Sequence, residues 1–255
     1  MEAGAVPVEW HEYRQGWQTI QAEVIEEALV TIYVNGLELN AVLCTPRELG
    51  DLALGFLANE GLIGAMGEVD HVHLSAAGCC VDVWLNHALA QPRRRITTTG
   101  CGGGVTFDDP SVGLQPLPYD LRLRPETLFD LFHHLNPPGS LYSRSRGVHA
   151  AAISDGQAIL ALAEDVGRHN TLDKLHGMCL RQGIETRGRI LLATGRVSAE
   201  MLHKGARMGC PILASRNSAT SMSIATARAW NITLVGYVRQ GSMRVYTHPE
   251  RLNHP

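Results

Sequence analysis

The sequence predicts an α/β protein: a large domain on a mostly parallel sheet, preceded by a smaller α+β domain. Three observations predict it. Four short apolar runs in the second half, at 158–162, 190–193, 211–214 and 232–238, are continuous rather than alternating, as in strands buried on both faces. Helical patterns lie between them, at 171–181, 199–208 and 220–230, and strand–helix–strand alternation implies parallel strands. The first 95 residues carry a different series, hairpin, helix and second strand pair.

In chain order, residues 1–18 read as a flexible arm. Apolar stretches at 24–32 and 37–43 flank Asn35-Gly36, the strongest short hairpin signal. Residues 47–62 place Leu49, Leu52, Ala53, Phe56 and Leu57 at helical spacing and stop near Gly61. Residues 69–74 and 80–85 read as a strand pair around Ala77-Gly78. These elements make a small domain over 19–95, and 96–255 make the large one. Pro92-Arg93-Arg94-Arg95 joins them as a solvated turn or a partner contact. Residues 108–121, punctuated by proline and glycine, read as loop. Residues 125–135 read as a helix with Leu128, Leu131 and Phe132 on one side, broken by Pro137-Pro138-Gly139. An apolar strand begins at His149 and turns at Ser154-Asp155-Gly156-Gln157. Residues 243–247 alternate as an edge strand does.

Composition narrows the function. The chain has 255 residues, 45% of them hydrophobic, and a net charge of −3. That balance argues against sequence-independent nucleic-acid binding, so any positive site is local. No stretch approaches the roughly 20 apolar residues of a membrane helix. Residues 1–17 lack the apolar segment of a signal peptide. The expectation is a cytoplasmic protein with no nucleic-acid or membrane partner. Six cysteines are present, none in a C-x-x-C pair, which weakens zinc and thioredoxin-like readings. Cys79 and Cys80 fall in a strand pattern, where neighbours point to opposite faces. Cys44, Cys179 and Cys210 sit among apolar residues as small core fillers.

Cys101 stands apart in Thr97-Thr98-Thr99-Gly100-Cys101-Gly102-Gly103-Gly104. Glycines on both sides strip steric cover from its thiol, and their amides can turn toward an anion such as a thiolate, the reactive form of cysteine. The plain alternative is a flexible turn with an incidental cysteine. Each Arg-bearing segment after the four apolar runs adds a guanidinium: Arg168, Arg196, Arg216 and Arg239, with His169, Lys174 and Lys204 close by in sequence. Ligands of parallel sheets bind at the carboxyl ends of the strands, and arginine's planar fork matches phosphate. The expected ligand is rich in phosphate.

Several segments together resemble the FdhD family of formate dehydrogenase accessory sulfurtransferases. They are Glu164-Asp165-Val166-Gly167-Arg168-His169-Asn170 with Asp173-Lys174, Gly195-Arg196-Val197-Ser198-Ala199-Glu200-Met201 with Lys204, Leu213-Ala214-Ser215-Arg216, Leu52-Ala53-Leu54-Gly55-Phe56-Leu57 with Glu60-Gly61, and Val245-Tyr246-Thr247-His248-Pro249-Glu250-Arg251-Leu252. The resemblance spans about residues 20 to 252. It implies a cytidine-deaminase-like three-layer domain and a homodimer. It implies that Cys101 takes sulfur as a persulfide from a cysteine desulfurase and passes it to molybdenum bis(molybdopterin guanine dinucleotide) destined for formate dehydrogenase, with GDP as a mimic of the bound cofactor. The segment matching the family's cofactor contact is Tyr237-Val238-Arg239-Gln240-Gly241-Ser242. On this reading Arg168, His169, Arg196 and Arg216 serve the same ligand, and Ser198 and Ser215, near strand ends or helix N-termini, offer hydroxyls to its phosphates.

The chain departs from some relatives. Gly104 stands where they carry a second loop cysteine, and Ser145-Arg146-Gly147 precedes Val148-His149 in place of the usual Thr-Gly-Gly. Two rivals remain: a cofactor-holding chaperone without chemistry, and a metal-dependent deaminase. The latter requires H-x-E and a C-x-x-C pair, whereas His149 is followed by Ala150-Ala151.

Overall fold

The computed structural model describes residues 4–76, 78–89, 96–97, 105–107 and 114–253. Strands β1 (Ala5–Tyr13) and β2 (Trp17–Ile25) form an antiparallel hairpin. The expectation of a flexible arm over 1–18 is therefore corrected. The ribbon is largely exposed, Trp17 by 74%, although its apolar residues share one face, where Val6, Val8 and Trp10 pair with Val24, Ala22 and Ile20. Its base is held to the body. Arg144 Nη2 donates to Glu23 at 2.7 Å, and Ala5 and Ile25 pack with Leu141 and Val148.

Strands β3 (Ala28–Val34) and β4 (Leu37–Cys44) follow as a hairpin whose Asn35 and Gly36 both have positive φ, 52° and 78°, as a type I′ turn requires. Helix α1 (Leu49–Asn59) covers one face of a four-stranded sheet completed by β5 (Val69–Leu74) and β6 (Cys80–Leu85), in the order β4-β3-β6-β5. Two short strands, β7 (Ile96–Thr97) and β8 (Val105–Thr106), pair antiparallel on either side of 98–104.

The large domain holds α2 (Pro125–His133), α3 (Leu141–Ser145), β9 (His149–Ser154), β10 (Ile159–Asp165), α4 (Arg168–Gln182), β11 (Ile190–Ala193), α5 (Ala199–Arg207), β12 (Ile212–Ser215), α6 (Ser221–Ala229), β13 (Thr233–Arg239) and β14 (Ser242–Val245). Its six-stranded sheet has the order β10-β9-β11-β12-β13-β14. Only the β11–β12 and β12–β13 pairings are parallel, which corrects the mostly parallel sheet expected. The reason is β9, which folds back beside β10 and inserts antiparallel between β10 and β11. Strands β10, β11, β12 and β13 still run in one direction, so their carboxyl ends share an edge.

Alternate residues of this sheet feed two cores. Ile153, Leu191, Leu213 and Leu234 meet Leu172, Leu175, Met201 and Ala227 from α4–α6. Ala152, Ile190, Leu192, Ala214 and Val235 meet Leu128, Leu131 and Phe132 of α2 on the other side. The two faces explain the continuous apolar runs. The small unit docks through α1 on α4 at a crossing of two glycines. A Cβ on Gly55 would lie 1.7 Å from Asp173 O, and one on Gly177 1.9 Å from Asp51 O.

Candidate functional site

Arg168 opens α4 directly after the N-cap Gly167, so a strand end and a helix start deliver it to the shared edge. Its side chain crosses Gly195, where a Cβ would sit 2.8 Å from Arg168 Cβ. It is 8% exposed, and its Nε and Nη2 find no hydrogen-bond partner among the described residues. Buried guanidinium donors left open are costly, which points to an anion they are built to meet.

His169 follows, buried, with Nε2 3.3 Å from both Ser198 Oγ and Glu200 Oε2. Burial, then Lys204, Arg168, His149 and Arg196, push its pKa down to about 2, so it is neutral. Ser198 caps α5, accepting from Met201 N at 3.4 Å. Beneath lies a buried ionic layer. Lys174 Nζ meets Asp165 at 2.7 Å and donates to Thr45 O at 2.9 Å. Lys204 Nζ donates to both Asp173 oxygens at 2.7–2.8 Å and stands 3.7 Å from Glu200. Burial alone would lower the Lys204 pKa, but Asp173, Glu200 and Glu60 raise it to about 12. Both lysines are thus committed to structural ion pairs at the edge.

At the same sheet edge, a cavity of about 370 Å³ opens between α2 and the ends of β11–β13. Arg216, Arg239 and Gln240 supply its polar wall, with Thr194 next to Gly195, and Phe129 and Phe132 its aromatic one. Arg216 Nη2 donates to Phe132 O at 2.8 Å, and its guanidinium carbon lies 5.8 Å from the Phe132 ring centre. The cavity floor is bent by a bulge in β13 at Tyr237, which takes a positive φ of 53°. Guanidinium donors facing aromatic rings suit a planar base carrying phosphates.

A profile of the FdhD/NarQ family matches residues 25–253. The chain belongs to the FdhD/NarQ family. It is 33% identical over 237 residues to "Sulfur carrier protein FdhD" of Staphylococcus aureus MRSA252, covering 90% of this chain and 89% of that protein. The protein of the same name from Staphylococcus haemolyticus is 34% identical, with 94% of each chain covered. A solved structure from Desulfotalea psychrophila, provisionally named a formate dehydrogenase accessory protein, superposes with a TM-score of 0.81 at 25% identity, over 98% of this chain and 99% of that one.

In this FdhD/NarQ chain, Val238, Arg239, Gln240 and Arg216 line the cavity, while Arg168, His169 and Ser198 gather separately at the same sheet edge. Arg196 lies near enough to His169 to depress its pKa. Four residues are placed otherwise. Ser215 is fully buried, donating to Gly195 O at 2.6 Å and accepting from Asn217 N at 3.0 Å, so it builds the turn and offers nothing to a ligand. Tyr237 turns its ring onto Arg244, 4.1 Å away. Gly241 lies in the exposed β13–β14 turn and Ser242 opens β14, both exposed and outside the cavity lining. Cys101 lies outside the described residues. The chain after it is anchored, because Glu60 accepts from Thr106 Oγ1 at 2.9 Å and from Phe107 N at 2.7 Å. Sequence reasoning missed Thr194, Asn217 and Phe129 in the lining, and took Phe132 as core alone.

Cys44 and Cys179 are buried, their thiols pushed up to about 12, foremost by burial, and Cys210 is buried too. Cys79 is exposed, which the strand reading of Cys79 and Cys80 does not single out.

Proposed function

We propose that this chain is a cytoplasmic sulfur carrier that serves formate dehydrogenase maturation, working as a homodimer. Cys101 takes sulfur from a cysteine desulfurase as a persulfide and hands it to molybdenum bis(molybdopterin guanine dinucleotide), bound as substrate. The observation that carries this reading is one sheet edge that holds both the buried Arg168 donors, unpartnered among the described residues, and a cavity lined by Arg216 and Arg239. The names of its relatives point the same way.

In the loading step the Cys101 thiolate attacks the outer sulfur of the donor's persulfide. A new S–S bond forms and the donor's cysteine leaves as thiolate. In delivery an electron pair supplied by the acceptor bonds the outer sulfur, the Cys101 S–S bond breaks, and Cys101 leaves as thiolate. The protein's part is positional. Arg168, Arg216 and Arg239 bind nucleotide phosphates, Phe132 offers a stacking surface for guanine, and neutral His169 holds Ser198 at the start of α5. Thr106, five residues past Cys101, is tied through Glu60 to the layer of Lys204 and Glu200 that abuts His169.

The test is mass spectrometry after incubation with a cysteine desulfurase and cysteine. Cys101 gains about 32 Da, one sulfur atom, and the Cys101→Ala chain does not. A Cys101→Ala chain that fully supports formate dehydrogenase activation refutes the relay and leaves a cofactor holder.

A further inference from the structure

A second thiol site lies on the small unit, at the turn between β5 and β6. Cys79 and Cys80 do not point to opposite faces as a strand would dictate. The strand begins only at Cys80, and Cys79 belongs to the turn, so the two sulfurs stand 3.6 Å apart. Ser75 organises them. Its amide donates to Cys80 O at 3.0 Å, its hydroxyl accepts from Cys80 N at 3.1 Å, and the same oxygen lies 3.8 Å from Cys79 Sγ. Cys79 O accepts from Thr31 N at 2.9 Å, and Gly78 turns the chain with φ +67°. Both neighbouring strands therefore fix the pair, and Cys79 is exposed.

We propose that Cys79 and Cys80 form a thiol-exchange site for low-molecular-weight disulfides, with Cys79 the attacking thiol and Cys80 the resolving one. In the first step the Cys79 thiolate attacks one sulfur of RS–SR. The Cys79–SR bond forms and RS⁻ leaves to take a proton. In the second, Cys80 gives up its proton and attacks Cys79 Sγ, closing a Cys79–Cys80 disulfide and expelling the second RS⁻. Two protein thiols lose two electrons and two protons, and the small disulfide gains them as two thiols.

Three features support the assignment of roles. Hydrogen bonds from Ser75 and Cys80 lower the Cys79 pKa, while the hydrogen bond with Cys79 raises that of Cys80, which keeps the resolver protonated until needed. Closure asks the sulfurs to approach from 3.6 Å to a bond of about 2.05 Å. Adjacent Cα atoms sit about 3.8 Å apart, below the usual disulfide span of roughly 4.4–6.8 Å, so the closed form is strained and readily reduced. The site is a reversible station, not a staple.

The experiment uses the full chain carrying Cys101→Ser, with oxidised glutathione as probe and mass mapping of the peptide that contains both cysteines. The expected product has lost about 2 Da, carries no glutathione, and recovers with dithiothreitol. Adding Cys80→Ser traps a stable glutathione adduct of about 305 Da on Cys79. Adding Cys79→Ser slows modification of the peptide at least tenfold, and Ser75→Ala slows closure severalfold in a chain whose melting curve is unchanged. A stable adduct on Cys79 with Cys80 intact overturns the proposal. So does the absence of reaction at both cysteines.

Discussion

The Glu60 carboxylate accepts hydrogen bonds from the Thr106 hydroxyl and the Phe107 amide, joining the end of α1 to the chain that leaves the Cys101 segment. All three residues are buried, and the Phe107 ring packs edge-on to Phe56, 5.9 Å between centres. Replacing Glu60 with alanine strands two buried donors, each worth about 1–3 kcal/mol. The expected result is a melting temperature lower by roughly 4–24 °C. Thr106→Val removes one donor and its acceptor contact together and costs less. Paired thermal melts check the order, and equal melting of Glu60→Ala and the parent chain would remove the anchor from the account.

Gly55 and Gly177 set how closely α1 lies on α4. Neither tolerates a methyl group, since each Cβ would enter a backbone carbonyl of the facing helix. Gly55→Ala and Gly177→Ala each force the helices apart and cost at least the roughly 1–3 kcal/mol of an overpacked core. Gly67, whose Cβ would meet nothing within 4 Å, provides the control, and Gly67→Ala leaves the urea midpoint close to the parent value.

Where burial is two-sided and continuous the sequence is readable. The runs that become β10–β13 announce the sheet, and the arginines after them announce its edge, because one direction of travel places all four strand ends together. What is not readable depends on boundaries or partners. The β1–β2 ribbon does alternate, Val6, Val8 and Trp10 facing Val24, Ala22 and Ile20, but most of that face stays at least partly exposed, so the pattern announces no core. The Cys79–Cys80 contact turns on whether β6 starts one residue earlier. Ser215 sits in the right segment for a ligand, but its hydroxyl is consumed by Gly195 and Asn217, which only packing reveals. Phe132 lies on the apolar side of α2, and no pattern shows that the end of that side borders a cavity.

The division of labour at the edge predicts a split between affinity and stability. Arg168→Ala removes donors that no described residue occupies, so it weakens GDP binding by about 10- to 100-fold, the worth of a charge-assisted hydrogen bond, with little loss of stability. Ser215→Ala behaves in the opposite way: it unties the Gly195 turn and lowers the melting temperature, while intrinsic GDP affinity changes less. Calorimetric titration with GDP beside thermal melts of both variants tests this. Unchanged affinity in Arg168→Ala would detach that residue from the ligand.

Acid sensitivity follows from the histidines. Burial, then surrounding cations, hold the His169 pKa near 2, and burial, then Lys204, bring His176 to about 4, against about 6.5 in an unfolded chain. Both are depressed bases, so the unfolded chain binds protons that the native one refuses. The stabilisation is complete above pH 6.5 and is lost as pH falls, down to about 4 for His176 and about 2 for His169, with a slope of about 1.4 kcal/mol per pH unit for each histidine. Between pH 8 and pH 5 the pair accounts for about 4 kcal/mol of lost stability, and His169→Gln recovers about half of that pH dependence even if its stability at pH 8 is lower. Urea midpoints across this range measure it, and a His169→Gln chain with the same acid slope as the parent would show that His169 is not held neutral.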